Sequence, residues 1–329
     1  MYAQMVRIRE FEDRVKRTFI EHPGAIRGHT HLADGAEATI VGTLATRNHN
    51  DLAMSTYRCH GYPLVLGTSP RFMMAEIYGR SDGICHGFGG SMHLADPANY
   101  FIGTSGIVGQ SIAHATGAAL TAQVKGTGQV VYCFFGDGAT KQGVFYESLG
   151  IAALWKLPIV YVLENNSYQA YTRIDLEDAN AAAGHPLARK AQAFSIPGVT
   201  VDGTDVFAVY DETTRAVDRA RAGLGPSLIE AKFYRFSAHG NTIVVPPIRP
   251  EFPSHEAIDV YQDPVEYEAA MAKDPVPKFR QILIDGGYFD DAGASKILAV
   301  ARAEMDDAVR FALASPHPEP EDALNNVYA

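Results

Sequence analysis

Cysteine is scarce in this chain: Cys59, Cys85 and Cys133 are the only three among 329 residues, far apart and odd in number. They form neither a CxxC pair nor a disulfide framework, which points to a reducing compartment and a cytoplasmic-type protein. Basic charge is short as well, with 28 Lys and Arg against 38 Asp and Glu, a net of −10. A general nucleic-acid binder needs clustered cations on phosphates, so that class is set aside, whereas an anionic cofactor needs only local donors. No apolar run approaches the ~20 residues that span a bilayer, and no membrane role is expected. The opening stretch from Met1 to Glu12 is charged and helix-like, unlike a signal peptide. Structural zinc is also short of ligands. Cys85, His86 and His93 offer one Cys-His pair and a distant His where four well-spaced ligands are wanted.

What is present is ample apolar chain, 47% of it, enough to bury a large core. Met5, Ile8, Phe11 or Glu12, and Val15 recur at helical spacing and predict an amphipathic helix over 2–21. A second helix is expected over 36–47. The stretch 79–110 is dense in glycine (Gly79, Gly83, Gly87, Gly89, Gly90, Gly103, Gly106, Gly109), which marks close backbone packing or a backbone lying against a ligand. It leads into an Ala/Gly-rich segment from Gly109 to Leu120 that reads as a tightly packed helix.

The pattern then becomes β-α-β. Residues 130–135 form a continuous apolar run, as in a strand buried on both faces, and 159–163 form another. Helical character fills 141–156 between them. Strands are expected again at 198–203 and 227–233, with a helix over 206–222. This alternation predicts an α/β fold, a mostly parallel sheet with helices on both faces. Residues 240–264 carry five prolines (Pro246, Pro247, Pro250, Pro253 and Pro264) and read as an extended surface excursion. Residues 265–313 read as a helical C-terminal region, and 314–329 as a tail or docking arm.

Two short motifs lie just past strand ends: Gly136-Asp137-Gly138 and Glu164-Asn165-Asn166. In open parallel sheets, ligands bind in the crevice outside the carboxyl ends of the strands. A glycine on each side of Asp137 lets the backbone approach a ligand, and the helix starting near 141 turns its N-terminal N–H groups there, which suits phosphate. Asp137 supplies a hard anionic oxygen and Asn166 a neutral one, a set that Mg²⁺ accepts once diphosphate oxygens and water complete it. Gly-Asp-Gly alone is a common turn. Paired with Asn166, 29 positions on across a helix and a strand, it says more.

The segment Gly136-Asp137-Gly138 to Asn165-Asn166 resembles the thiamine-diphosphate motif. Its surroundings, GDGATKQGVFYESLGIAALWKLPIVYVLENNSY, are similar to the α subunit of 2-oxo acid dehydrogenase E1 components of the pyruvate, branched-chain and acetoin-cleaving types. The likeness runs over roughly residues 5–240. It implies a thiamine-diphosphate-binding fold, with 1–329 as a single diphosphate-type domain. It implies Mg²⁺ on the side chains of Asp137 and Asn166 and the main-chain carbonyl of Tyr168. It further implies diphosphate contacts from Tyr57, Arg58, Gly138, Ala139 and Gln142, and an aminopyrimidine held along Gly106, Ile107 and Val108. Val108 by itself would read as ordinary core. His239 would be the active-site loop histidine near the diphosphate and the reacting carbon, and His31 a substrate-side histidine, the two catalytic candidates. Taken singly, each reads as a satisfied or surface histidine, and for His31 both readings stay open.

The resemblance also implies partners. The glutamate that contacts the pyrimidine ring would come from a separate E1 β subunit in an α2β2 heterotetramer, with the acyl group passed to a lipoyl-bearing E2. The substrate would be a 2-oxo acid or acetoin. The stretch from Ser91 to Pro97 resembles acetoin-cleaving members, while the overall likeness suits pyruvate equally. One departure is visible: Ala238-His239-Gly240-Asn241-Thr242 stands where the family has Gly-His-Ser, an acidic residue and Pro. With Gly240 in place of the serine some relatives carry, phosphorylation control there is not expected. The alternatives are a subunit of a split transketolase-type enzyme and a non-catalytic partner that keeps the fold.

Overall fold

The computed structural model describes residues 1–240 and 261–325. Six parallel strands form the central sheet: β1 (Leu52–Thr56), β2 (Phe101–Ser105), β3 (Val131–Gly136), β4 (Ile159–Asn165), β7 (Gly198–Asp202) and β8 (Ser227–Lys232). A small hairpin, β5 (Tyr168–Gln169) and β6 (Thr172–Arg173), follows β4. The sheet order is β2-β1-β3-β4-β8-β7, so successive strands run outward in opposite directions from the β1/β3 boundary. That boundary is the topological switch point at which such sheets bind ligands.

Alternation along the strands decides which face each residue serves. Tyr132 and Phe134 pack with Val160, Val162 and Ile229 on one face. Val131, Cys133 and Phe135 pack with Ile159, Tyr161 and Leu163 on the other. The first face is covered by α1 (Tyr2–Glu21), α2 (Glu37–Leu44), α3 (Gly61–Leu66), α4 (Pro70–Ile77) and α8 (Val206–Arg221). The second is covered by α5 (Gln110–Lys125) and α6 (Gly143–Trp155), with α7 (Ala179–Ala182) in the following loop. C-terminal to these come α9 (Pro264–Met271), α10 (Pro275–Asp285), α11 (Asp291–Ala314) and the short α12 (Asp322–Asn325). Ala301, Met305 and Ala308 of α11 join the first core cluster, and its Glu304 pairs with Arg7 of α1 at 2.8 Å.

Most expected elements stand. The first helix spans residues 2–21, with both Phe11 and Glu12 buried. Glu12 tolerates burial because it accepts the Ala33 N–H at 2.9 Å and bonds the His60 ring at 2.8 Å, while that ring also reaches Ser91 Oγ at 2.9 Å. Three readings need adjusting. The helix expected over 36–47 closes at Leu44, where the Thr46 hydroxyl donates to the Thr43 carbonyl at 2.7 Å and the chain turns toward β1. The helix expected from 141 begins at Gly143, because 137–141 forms a tight 3-10 turn closed by the Gln142 N–H on the Ala139 carbonyl. Strands β1 and β2 carried no clear signal: Leu52-Ala53-Met54-Ser55-Thr56 has no branched apolar run, and Gly103 interrupts the other. The Pro-rich stretch falls mostly on 241–260, and the last residues of the tail on 326–329, outside the described residues; its Pro264 begins α9.

The glycine-dense stretch has a structural cause. Glu76, fully buried on α4, accepts four main-chain N–H groups: Cys85 and Gly87 at 2.8 Å, Gly89 at 2.7 Å and Gly90 at 3.0 Å. A loop can wrap one carboxylate this tightly only without side chains in the way. A Cβ on Gly83 would lie 2.6 Å from the Glu76 Cα, and one on Gly89 2.2 Å from the His93 carbonyl oxygen. The glycines serve close packing around an internal anion.

Candidate active site

A cleft of about 510 Å³ opens outside the carboxyl ends of β1, β3, β4 and β8. Each strand delivers its next residues to it: Tyr57 and Arg58 after β1, Asp137 to Ala139 after β3, Asn166 after β4, and Arg235 and His239 after β8. Gln142, Tyr168 and Val108 complete the set, so ten of the residues singled out in the sequence line one cleft. His31 lies behind this wall, its ring 4.4 Å from Tyr57 and 4.9 Å from His239, centroid to centroid. Gly106 sits to one side. A Cβ there would lie 3.2 Å from His93 Nε2, and Gly106 is not among the lining residues.

Strand register explains the metal-type arrangement. β3 pairs with β4 so that Gly136 lies opposite Glu164, bringing the Asp137 turn beside Asn165 and Asn166. Asp137 is 2% exposed, and its Oδ2 is buried with no hydrogen-bond partner among the described residues. Burial pushes its carboxyl up to about 6, only partly offset by the Gly138 N–H and the Arg235 charge. Asn166 is also buried, and its Oδ1 accepts the Tyr168 N–H at 3.2 Å. No group of three or more His, Cys, Asp and Glu suited to a metal is present among the described residues. A cation here would draw on Asp137 together with amide and main-chain oxygens, the hard set that Mg²⁺ favours.

The rest of the cleft suits an anion. Arg58 and Arg235 are both buried, and neither is ion-paired with a carboxylate among the described residues. Arg58 donates to the carbonyls of Leu32 at 2.5 Å and His239 at 3.1 Å. Arg235 donates to the carbonyls of Ser237 at 3.1 Å and Ala170 at 2.8 Å, and to the Tyr261 hydroxyl. Two buried guanidinium groups held only by neutral oxygens leave their charge for a ligand. Burial, then the Arg58 charge, lowers His31 to about 2 and His239 to about 3, so both imidazoles are neutral at pH 7. Nδ1 of each is buried without a partner among the described residues.

Several lining residues had no role in the sequence reading. Arg235 stands three residues past β8, where strand-end logic would have found it. Glu164 belongs to a motif already quoted, and burial raises its carboxyl to about 7. Gln169, whose Nε2 is buried without a partner among the described residues, packs beside Gly138, with its Cγ 3.5 Å from where a Cβ there would sit. Lys141 pairs with Glu177 at 2.5 Å at the cleft's edge. Half-buried Lys190 bonds both Asp178 at 2.5 Å and the Thr140 hydroxyl at 2.9 Å, tying the 174–190 segment to the Asp137 turn.

The dehydrogenase E1 component family matches residues 3–321. Over 331 residues the chain is 39% identical to the α subunit of an acetoin:2,6-dichlorophenolindophenol oxidoreductase from Bacillus subtilis (strain 168), covering 100% of this chain and 92% of that one. A protein of the same name from Cupriavidus necator is 39% identical over 329 residues, covering 100% and 93%. The α subunit of the pyruvate dehydrogenase E1 component of Porphyra purpurea is 34% identical over 336 residues, covering 100% and 92%. The chain belongs to the dehydrogenase E1 component family.

Proposed function

We propose that this chain is the α subunit of a thiamine-diphosphate-dependent E1 component, which decarboxylates a 2-oxo acid or cleaves acetoin and hands the acyl group to a lipoyl-bearing E2. The observation that carries this reading is one strand-end cleft that joins Asp137, Asn166, Arg58 and Arg235, where among the described residues the Asp137 Oδ2 has no hydrogen-bond partner and neither arginine has a carboxylate partner. Asp137 and Asn166, with the Tyr168 carbonyl, would hold Mg²⁺, and a divalent charge would offset the cost of burying the Asp137 carboxylate. Tyr57, Arg58, Gly138, Ala139 and Gln142 would hold the diphosphate, Arg58 by the fork that fits phosphate oxygens. Gly106 and Val108 would bound the aminopyrimidine side, with Val108 at the cleft and Gly106 two residues before it.

When bound, thiamine diphosphate supplies a carbon nucleophile and a sink for the electron pair released from the substrate. The chain's own part is to bind, orient and manage protons. His239, neutral and with Nδ1 unpartnered among the described residues, can accept a hydrogen bond from the substrate hydroxyl or give one to its oxygen. His31 packs against Tyr57 and His239 and would act from the substrate side.

The pyrimidine-facing glutamate would come from a β subunit, in an α2β2 assembly with the cofactor between the chains. Supporting this, Ile107 is 66% exposed and Val108 39% exposed at the cleft rim, apolar surface suited to a covering partner. The relatives named above are themselves α subunits. Residues 1–329 would then be one diphosphate-binding domain with a helical C-terminal region. A cytoplasmic location fits the cysteine usage, and among the described residues no helix is long and apolar enough to cross a membrane. The acetoin-type relatives are nearer in identity than the pyruvate type, 39% against 34%, which favours acetoin as donor. The α/β complex with thiamine diphosphate and Mg²⁺ is expected to reduce dichlorophenolindophenol with acetoin, and more weakly with pyruvate. Reduction with none of acetoin, pyruvate and a branched-chain 2-oxo acid would refute the reading.

A further inference from the structure

Past β4 the chain doubles back in the β5–β6 hairpin, with Ala170 and Tyr171 at its tip. Residues from Tyr168 to Thr172 all line the cleft, so the hairpin forms part of its wall. Ser167 and Ala170 take left-handed φ values of 71° and 47°, which turn the chain sharply enough to hang the tip beside the strand ends. Two anchors hold it. The buried Arg235 guanidinium donates to the Ala170 carbonyl at 2.8 Å, and the Tyr168 hydroxyl donates to Glu266 at 2.5 Å.

The side chain this positions is Tyr171. Its ring packs edge-on against His239, 5.5 Å between centroids at 72°, and against Tyr261, 5.2 Å at 79°. It is 50% exposed, and its hydroxyl makes no hydrogen bond among the described residues. Among the described residues, ring packing against His239 and Tyr261 is what positions its side chain. Through His239 it extends a row of rings in successive contact, Tyr57 to His31 at 4.4 Å and His31 to His239 at 4.9 Å. The inner members of that row carry the unpartnered nitrogens, whereas its outer end is the flat, apolar face of a tyrosine on a pinned tip.

We propose that Tyr171 is a specificity-determining residue that limits the size of the acyl group the enzyme accepts. The inference rests on the reading above that His239 stands at the reacting carbon. A two-carbon acyl group fits against His239 without reaching the tip. A longer or branched chain extends along the row and meets the Tyr171 ring, which stands on a tip that Arg235 pins through the Ala170 carbonyl. A rigid apolar wall discriminates by roughly 10-fold or more per added methylene, enough to separate short donors from branched ones.

The test uses the full α/β complex with thiamine diphosphate, Mg²⁺ and dichlorophenolindophenol as electron acceptor. Pyruvate and acetoin are compared with 4-methyl-2-oxopentanoate for the wild type, Tyr171→Ala and Tyr171→Phe. Expected for Tyr171→Ala is a rise of about 10-fold or more in the kcat/KM ratio of the long donor over pyruvate, with the thiamine diphosphate Kd unchanged. Tyr171→Phe, which keeps the ring, should keep the wild-type donor ratio, and retained thiamine diphosphate binding by Tyr171→Ala guards against a folding defect. An unchanged ratio in Tyr171→Ala, or an equal shift in Tyr171→Phe, overturns the proposal while the E1 reading stands. A wild-type complex that turns over no donor and binds no thiamine diphosphate overturns both.

Discussion

A carboxylate buried as deeply as that of Asp137 costs free energy unless a cation or several donors stand beside it. Its unpartnered Oδ2 and raised protonation point mark a group set for a ligand rather than for the stability of the chain alone. Asp137→Asn should therefore leave the thermal midpoint measured in EDTA unchanged or higher, and abolish the rise that Mg²⁺ with thiamine diphosphate gives the wild type. A drop of several degrees in EDTA would mean the carboxylate is structural. Glu76 is the opposite case, buried but met by four N–H donors. Glu76→Gln turns one acceptor into a donor facing donors, and should cost roughly 3 kcal/mol or more, read as a lowered denaturation midpoint. At this scale the sequence was legible where residue type and strand end coincide, as with Asp137 and Asn166, whereas Arg58, past a strand the sequence did not announce, was given only by the family resemblance. It was silent on Gln169 and Tyr171, whose roles come from a two-residue hairpin turn with no glycine to announce it.

Among the elements, α1 is joined to the loop after β8 through one buried acid. Asp34 accepts from Lys16 at 2.7 Å and from the Ser237 hydroxyl at 2.6 Å, two residues from His239. Burial alone would push the Asp34 carboxyl up, but the Lys16 ammonium, the Ser237 hydroxyl and the Arg9 charge together hold it below the ordinary carboxylate range. A carboxyl depressed in the folded state stabilises the fold above its unfolded value of about 4, and that contribution is lost as pH falls through the folded value. Asp34→Asn should lower stability at pH 7 and flatten the fall in denaturation midpoint below about pH 4. A variant as stable as the wild type at pH 7 would contradict the assignment. Elements with continuous apolar runs, β3 and β4, were plain in the sequence because burial on both faces leaves no room for polar residues. The edge strand β2 and its neighbour β1 were not, since Gly103 and the Ser55-Thr56 pair break the pattern.

For the molecule as a whole, the switch point between β1 and β3 determines where ligands can bind, and the cleft lies there. One wall of that cleft, near the exposed Ile107 and Val108, is the side a β subunit would cover. Light scattering of the co-expressed pair should give the mass of two α and two β chains, and the α chain alone should show little or no donor-dependent dye reduction. Full activity of the α chain alone would exclude a shared site. The parallel α/β architecture was readable from the alternation of strands and helices. The wrapping of the glycine loop around Glu76 was not, because a buried acid and its N–H partners leave no periodic trace.

In the proposed function, Asp137 and its neighbours hold thiamine diphosphate through a divalent cation. Isothermal calorimetry of the α/β complex with thiamine diphosphate, with Mg²⁺ and then with EDTA, tests it most directly, alongside the complex carrying Asp137→Ala. Saturable binding by the wild type that requires Mg²⁺ and weakens at least about 100-fold in Asp137→Ala, near 3 kcal/mol, is the expected result. No binding by the wild type, or equal binding by the variant, would contradict the account.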